Sequence, residues 1–503
     1  MNDGKICISI CAETAEEMLE QIRRAEELAD VIEIRLDYIQ PGQIHKTFAF
    51  LGSKKPLLLT YRPKSQGGRA EDSPDSRKLL WNAFIIDGSL DTKKFWFDFE
   101  EDLTNLQKVS NPVTIRSFHD FSGVPENLFE IYERLSVERE IAKIAVQTNE
   151  ITDSIAVWKL LEKAKSENKQ IIPIAMGEAG KWTRILGLAH GASMTYAVLD
   201  TGSETAPGQI SARDLIETYR VKELNERTEI YGILGNTVSH SLSPFMHNAA
   251  FKFHKLDAVF IPFEVKNLDE FIKRFVRKET REIELNFKGF SVTIPHKQAI
   301  IEHLDSIDET AQTIGAVNTV KIVDGKLHGF NTDAPGFIEP LRNSYGDLRD
   351  AKVGVLGNGG AARACVYALK NDGANVCVFA RDIEKARHLA EEFQVELRGL
   401  KISSDDLREF DILVNATPLG MKGKFENETP LRAEQIENVK LIYDLVYNPF
   451  ETRLIKEARK ANVPIIGGLA MLIAQGAAQF KIWTDKDAPV REMSRIALRK
   501  LQT

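Results

Sequence analysis

Eight short apolar runs fall in the first 200 residues, and their spacing constrains the fold more than any other feature of the chain. They are KICISIC (5–11), VIEIRLDYI (31–39), PLLLTYRP (56–63), FWFDFE (95–100), PVTIRSFHDF (112–121), IAKIAVQT (141–148), QIIPIAMG (170–177) and MTYAVLD (194–200). Amphipathic segments such as AEEMLEQIRRAEELAD and DSIAVWKLLEKAKSEN separate several of them. Strands alternating with helices build a parallel sheet, and eight such units suit a (β/α)8 barrel of the TIM type. The expected fold class is therefore α/β, with this barrel over residues 1–218.

The polar residues inside these runs carry the first functional signal. In VIEIRLDYI, Ile32, Ile34 and Leu36 share one face, while Glu33, Arg35 and Asp37 share the other. A solvated edge strand also produces this alternation. In a closed barrel the same pattern marks a polar site, because the helices cover the outside and side chains fill the inside. Arg62, Asp98, Glu100, His119, Lys143 and Arg184 lie in or just after other runs. Carried on separate barrel strands, they would converge on the mouth where such barrels hold their active sites. Lys143 has no acidic neighbour within IAKIAVQT, and a buried ammonium must find a partner elsewhere or give up its proton.

Composition sets the outer bounds. A chain of 503 residues is too long for one ordinary core, so two or three domains are expected. With 43% hydrophobic and 28% charged residues and a net charge of −7, nothing favours a nucleic-acid or anionic-membrane partner. The start, MNDGKICISICAET, lacks the pattern of a secretory signal, and no apolar stretch reaches membrane-spanning length. The four cysteines, Cys7, Cys11, Cys365 and Cys377, lack metal-ligand spacing and are expected to be free thiols, with Cys7 and Cys11 on one face of the first strand. No metal site and a cytoplasmic location are the corresponding expectations.

The second half has a different organisation. IETYRVKELNERTE (216–229) is charged and without a strand pattern, which places a linker at 219–228. A strand then begins at EIYGILGN. In AKVGVLGNGGAARACVYAL an apolar strand, a glycine turn and a helix follow in order, with G-x-G-x-x-A at Gly357, Gly359 and Ala362. Small residues there let the backbone approach a pyrophosphate at a helix N-terminus. The next strand, NVCVFARD, ends in Ala380-Arg381 where a selector of NAD would carry an acid, and arginine suits the 2′-phosphate of NADP. Asp382 follows directly. Ser241, Ser243 and Pro244 precede an apolar helix, where hydroxyls serve as caps or as ligands.

Six motifs in order, EIRLD, TYRPKSQGG, SFHDF, IAKIAVQT, AMGEAGKWTR and TAPGQ, resemble type I 3-dehydroquinate dehydratase across residues 5–215. The resemblance implies that Lys143 forms an imine with the substrate ketone and that His119 is the general acid/base. It places Glu33, Arg35, Arg62, Arg184, Thr205 and Gln209, with Ser9, around the substrate's carboxylate and hydroxyls. A protonated imine is a better electron sink than a ketone for removing an adjacent proton. Forming it needs an amine that is neutral part of the time, which burial and the cations Arg35 or Arg62 would favour. An imidazole suits the proton transfers. Thr205 stands where the family usually has serine, and Gln66 where many members have glutamate.

Eight further motifs, GNTVSHSLSPFMHN, GFSVTIPHK, GAVNT, GFNTD, GNGGAARA, NATPLGM, YDLVYNP and GLAMLIAQGAAQF, resemble shikimate dehydrogenase across residues 229–503. The resemblance makes Lys297 and Asp333 the catalytic pair. Ser241, Ser243, Thr293, Asn318, Tyr447 and Gln475, with Gln479, would face shikimate. Gly357, Asn358, Gly359, Gly360, Ala361, Ala362, Arg381, Thr417, Met421 and Gly468 fall where the family contacts NADP. Hydride transfer to a ketone puts negative charge on its oxygen, which a lysine held by a carboxylate can stabilise and protonate. Ser291, Asn358 and Ala380 depart from common residues of the family. The hydroxyls of Ser241, Ser243 and Thr293 favour shikimate over quinate.

The two implied reactions are consecutive, 3-dehydroquinate to 3-dehydroshikimate and then to shikimate, so the chain resembles a bifunctional shikimate-pathway enzyme. The expected architecture is the barrel, the linker, a substrate lobe of residues 229–334 plus 479–503, and a Rossmann-type NADP lobe of 335–478. The expected partners are these small molecules, with no nucleic acid and no membrane. An NAD-dependent quinate/shikimate dehydrogenase and a non-catalytic metabolite sensor are the competing readings. A degenerate sensor would be expected to lack Lys143, His119, Lys297 or Asp333, and all four are present.

Overall fold

The computed structural model describes residues 2–40, 42–43, 53–86, 94–103, 113–137, 140–200, 202–400 and 403–502. The chain divides into two compact units, Met1–Ser241 with Asp257–Phe287, and Leu242–Leu256 with Lys288–Thr503.

In the first unit the strands are β1 (Lys5–Ile10), β2 (Val31–Arg35), β3 (Leu57–Thr60), β4 (Phe95–Glu100), β5 (Thr114–Asp120), β6 (Glu140–Gln147), β7 (Ile171–Met176), β8 (Met194–Val198) and the two-residue β9 (Ile210–Ser211). Each of the eight apolar runs supplies one strand. They pair in parallel in the order β7-β6-β5-β4-β3-β2-β1-β8-β9, so the sheet curls through the barrel sequence. Between β7 and β8 the seam carries a backbone bond from Ser193 N–H to the Ile171 carbonyl at 2.9 Å. The helices Ala15–Ala25, Pro74–Ile86, Leu128–Leu135, Ser154–Ser166 and Lys181–Leu186 follow strands as the (β/α) repeat requires. The strand VIEIR is buried on both faces, with Ile32 and Ile34 fully buried and Glu33 and Arg35 nearly so. A solvated edge strand is thereby ruled out for β2. The Cys7 thiol lies within β1, Cys11 just after it, and all four cysteines are free.

Also in this unit, β10 (Glu229–Gly235) pairs in parallel with β11 (Ala258–Glu264) in the register Glu229↔Ala258 to Gly235↔Glu264. The segment 216–228 holds the end of a short helical turn, Asp214–Thr218, and then turns rather than strand, before β10 begins at Glu229. Trp182 of the helix Lys181–Leu186 packs edge-on against Phe275, with ring centroids 5.7 Å apart.

The second unit holds two sheets. In one, β12 (Phe287–Val292) runs antiparallel to β14 (Thr319–Val323), which forms a hairpin with β15 (Lys326–Phe330); β13 (Ser306–Ile307) pairs with β15. The other is an all-parallel sheet of β16 (Lys352–Leu356), β17 (Asn375–Ala380), β18 (Glu396–Gly399), β19 (Ile412–Asn415), β20 (Leu441–Asp444) and β21 (Ile465–Gly467). Its order, β18-β17-β16-β19-β20-β21, reverses direction beside β16. This is the doubly wound dinucleotide-binding order, in which ligands sit outside the strand ends at the reversal. Its core joins Val353, Val355, Val378, Ile412 and Val414 of the strands to Phe337, Leu341, Cys365 and Leu369 of the helices Asp333–Tyr345 and Gly360–Asn371.

Two candidate active sites

The first site is a cavity of about 440 Å³, including the space at its mouth, lined by residues from most of the barrel strands and their following loops. The structure brings together there all eight residues named from the strands' polar pattern and the dehydratase resemblance as substrate-holding or catalytic: Glu33, Arg35, Arg62, His119, Lys143, Arg184, Thr205 and Gln209, with Ser9 as a ninth. Asp98 lies beneath Lys143, and Glu100 lies beyond Arg62 rather than at the cavity wall.

Lys143, 3% exposed, solves its burial through other strands. Its Nζ donates to Asp98 Oδ2 at 2.9 Å and stands 3.8 Å from Glu33 Oε1. The sequence showed no acid beside Lys143 and pointed to cations around it; tertiary structure adds two carboxylates. Asp98 is shared, for Arg62 donates to the same oxygen at 2.7 Å while Ser117 Oγ donates to the other at 2.5 Å. Burial alone would raise the Asp98 carboxyl, but Arg62 and Lys143 outweigh it and hold it down at about 2. Asp98 therefore stays a carboxylate at any working pH. Glu100 faces Arg62 at 3.0 Å as a charge contact off the hydrogen-bond direction, and it accepts from Arg77 at 2.9 Å. Burial first, and Asp98 next to it, push Glu100 up to about 7.

Glu33 accepts from Ser9 Oγ at 2.5 Å and Thr60 Oγ1 at 2.9 Å. Arg35 forms a two-pronged pair with Asp37 at 2.9 and 2.8 Å, which keeps its guanidinium charged despite burial. His119 has Gln66 Oε1 at 3.3 Å from Nδ1, and burial together with Arg62, Lys143 and Arg35 lowers it well below the usual histidine range. It is thus a neutral imidazole, able to accept a proton. Gln209 Oε1 accepts from Thr205 N–H, Thr205 Oγ1 and Ala206 N–H, so it organises the loop that bears Thr205.

Arg184 differs from the other two arginines. Among the described residues its buried Nε and Nη1 have no hydrogen-bond partner, while Nη2 donates to the Pro207 carbonyl at 3.3 Å. Burial lowers its pKa to about 10, so it remains a cation, and among the described residues no carboxylate hydrogen-bonds to it. An unpaired buried cation is costly, and a planar fork facing a cavity matches a carboxylate. The loops that frame it depend on close backbone approach. A Cβ at Gly68 would lie 2.0 Å from the Arg62 carbonyl oxygen, and one at Gly208, where φ is +74°, would lie 2.3 Å from that of Gly177. Tyr196, Ser117 and Thr60 also belong to this site and were not singled out from the sequence. Tyr196 sits in MTYAVLD, whose pattern reads simply as core.

The second site is in the second unit. Lys297 Nζ meets Asp333 Oδ2 at 2.5 Å, and Asn318 Nδ2 donates to Asp333 Oδ1 at 2.8 Å. Asn318 Oδ1 accepts from Thr332 N–H and Thr319 Oγ1, both at 2.8 Å, and Asn331 Oδ1 accepts from Asp333 N–H at 3.0 Å. Asp333 is thus locked at the first turn of its helix by the neighbouring motif residues. Thr319, Asn331 and Thr332 escaped the sequence reading, though they adjoin Asn318 and Asp333 within GAVNT and GFNTD. Gln479, 1% exposed, accepts from Ser291 Oγ at 2.8 Å and donates to the Asn318 carbonyl and Thr319 Oγ1 at 3.2 and 3.1 Å. Both of its ends are engaged by protein. Gln475 donates to the Leu472 carbonyl at 2.8 Å. Ser243 opens the helix Ser243–Phe253, which has no side-chain cap, while Ser241 falls in the first unit. Thr293 and Tyr447 are half-buried and lie in the loops after β12 and β20.

The glycine turn adjoins this pair: a Cβ at Gly360 would come 3.7 Å from Lys297 Cδ. Gly357 needs its φ of +118°, and a Cβ at Gly359 would meet no protein atom within 4 Å. The turn therefore opens onto free space ahead of the helix Gly360–Asn371, as a pyrophosphate requires. Asn358 is exposed, Ala361 half-buried and Ala362 buried. Arg381 is exposed after β17, and Asp382 is occupied in capping the next helix, accepting from Lys385 N–H at 3.2 Å. Thr417 Oγ1 donates to Asn415 Oδ1 at 2.6 Å, Met421 is exposed, and Gly468 starts the helix Gly468–Thr484.

A barrel with a buried lysine facing a histidine, joined in one chain to a doubly wound fold whose glycine turn meets a lysine–aspartate pair, defines an enzyme with two separate centres. Family models match accordingly: type I 3-dehydroquinase over residues 6–226, the shikimate dehydrogenase substrate binding domain over 233–320, shikimate/quinate 5-dehydrogenase over 340–440, and the shikimate 5′-dehydrogenase C-terminal domain over 468–498. The chloroplastic bifunctional 3-dehydroquinate dehydratase/shikimate dehydrogenase of Arabidopsis thaliana is 33% identical over 520 residues, covering 97% of this chain and 83% of that one. The NADP(+) shikimate dehydrogenase of Methanocaldococcus jannaschii is 42% identical over 55% of this chain and 99% of its own. A crystal structure of a shikimate dehydrogenase in complex with NADP+ superposes with a TM-score of 0.51 at 41% identity, covering 56% of this chain and 98% of that one. The chain belongs to the family of bifunctional 3-dehydroquinate dehydratase/shikimate dehydrogenases. Among the described residues no helix is long and apolar enough to cross a membrane.

Proposed function

We propose that the barrel dehydrates 3-dehydroquinate through an imine on Lys143 and that the second unit reduces the resulting 3-dehydroshikimate to shikimate with NADPH. The observation that carries the first half is the cavity in which Lys143 and His119 share walls with the unsatisfied guanidinium of Arg184. Arg184 takes the substrate carboxylate. The Lys143 amine adds to the ketone carbon, and the ketone oxygen departs as water, leaving a cationic C=N–H. Neutral His119 removes the proton next to that carbon, and the C–H electron pair moves toward the iminium nitrogen. His119 then returns its proton to the departing hydroxyl, and water releases the product from Lys143. Gln66, engaging Nδ1, leaves Nε2 as the basic nitrogen. Arg35, Arg62, Glu33, Thr205 and Gln209, with Ser9, bind and orient the remaining hydroxyls.

For the second half, Gly357 to Ala362 with Arg381, Thr417, Met421 and Gly468 hold the cofactor, which when bound supplies hydride. Arg381 takes the 2′-phosphate, supported by the commitment of Asp382 to a helix cap. Lys297 stabilises the developing oxyanion and protonates it, while Asp333, fixed by Asn318, aims Lys297. Ser241, Ser243, Thr293, Asn318, Tyr447 and Gln475, with Gln479, surround the substrate, and Gln479 also braces Asn318. The first activity is assigned to residues 1–218, the linker to 219–228, the substrate lobe to 229–334 plus 479–503, and the NADP lobe to 335–478. The four free thiols support a reducing compartment such as the cytoplasm.

The test uses purified protein with 3-dehydroquinate and NADPH, following NADPH oxidation and identifying the product. Shikimate is expected. Lys143→Ala is expected to abolish oxidation from dehydroquinate yet leave reduction of added dehydroshikimate, whereas Lys297→Ala lets dehydroshikimate accumulate. Survival of both reactions in Lys143→Ala would refute the imine assignment.

A further inference from the structure

Tyr196 of β8 occupies a place in the first site that the roles above leave unused. It is buried among barrel residues that include Ala145, Ile174 and Met176, and it lines the cavity. Lys143 Nζ stands over the face of its ring, 4.0 Å from the centroid. Among the described residues its buried Oη has no hydrogen-bond partner, so the contribution of Tyr196 to Lys143 comes from the ring and not from the oxygen.

The charged groups around Nζ are Asp98 of β4 at 2.9 Å and Glu33 of β2 at 3.8 Å, with Arg62 on the far side of Asp98; the neutral but titratable His119 lines the same cavity. As an ammonium, Lys143 offers three N–H bonds to these carboxylates. Once the nitrogen is bound to substrate as an iminium, a single N–H remains. Hydrogen bonding to the carboxylates therefore weakens at the stage when the positive charge matters most. The face of an aromatic ring attracts a cation through its quadrupole and requires no N–H to do so. It also withdraws no proton from the nitrogen, as a basic acceptor could.

Building on the imine reading, we propose that Tyr196 is a positioning residue for the dehydratase. Its ring face holds the Lys143 nitrogen in the barrel mouth and stabilises the positive charge of the iminium once a single N–H is left to serve Asp98 and Glu33.

The experiment varies the ring's quadrupole without changing its shape. Tyr196→Phe in the full chain is compared with phenylalanines of increasing ring fluorination placed at the same position. Tyr196→Phe is expected to keep kcat within about threefold, because the ring face is retained. Across the fluorinated series kcat is expected to fall stepwise, by about tenfold in total, with KM changing less than about twofold. Borohydride trapping of substrate on Lys143 is expected to slow in parallel, while reduction of added dehydroshikimate stays constant. A flat series overturns the proposal, as does a Tyr196→Phe protein as impaired as the most fluorinated variant. Failure to trap any adduct on native Lys143 is a separate result that removes the imine itself, and this role with it.

Discussion

Lys143 and Lys297, to which the two reactions are assigned by proposal, sit in opposite surroundings. Lys143 is enclosed by Asp98, Glu33 and the Tyr196 ring, whereas Lys297 is partly exposed and paired with Asp333. The contrast suits the proposed chemistry, in which one nitrogen would form a covalent bond out of water's reach and the other would only meet an oxygen as charge develops there. Arg184 offers the sharpest test at this scale. Two of its buried nitrogens lack partners, so Arg184→Gln is expected to raise KM for dehydroquinate by about 10²-fold, since charge-assisted hydrogen bonds are worth about 1.5–3 kcal/mol each. Reduction of dehydroshikimate should be unchanged in the same preparation; an unaltered dehydratase KM would remove Arg184 from carboxylate binding. At this scale Lys143 was legible because a lysine inside IAKIAVQT breaks the strand's chemistry. Tyr196 was illegible, because a tyrosine in an apolar run is what core packing also selects.

Among the elements, the turn after β3 shows how tightly the site is framed. Lys64 N–H bonds the Ala70 carbonyl, and Ala70 N–H bonds that of Arg62, folding TYRPKSQGG back on itself beside the cavity. Gly68 sits against that strand end, and its missing side chain is what permits the approach. Gly68→Ala is expected to destabilise the first unit by about 2–4 kcal/mol, in the range of a backbone clash, and to depress dehydratase turnover. Denaturant unfolding and the two separate assays check this, with the dehydrogenase expected to keep its rate. The strand β2 teaches the complementary lesson. Its alternation was plain in the sequence, but an edge strand gives the same alternation. Only the neighbouring strands β1 and β3, pairing through Ser9↔Glu33 and Arg35↔Thr60, make its polar face an interior one.

For the molecule as a whole, two chemistries in one chain are expected to be separable. A mixture of Lys143→Ala and Lys297→Ala proteins should convert dehydroquinate to shikimate, with a lag while dehydroshikimate accumulates in solution and diffuses to the other chain. Following both compounds over time checks it; failure of the mixture, with each single activity intact, would show that the intermediate must pass within one chain. The sequence by itself determined the succession of eight strands, the strand–turn–helix of the nucleotide fold, and the residue types at both centres. These are local properties, written in periodicity, in glycine spacing and in short motifs. Tertiary structure alone decided which groups meet: Asp98 and Tyr196 against Lys143, Asn318 against Asp333, and Gly360 against Lys297. Those contacts join residues 15 to 63 positions apart, and distance across a sheet depends on strand order and register, which no single stretch of sequence encodes.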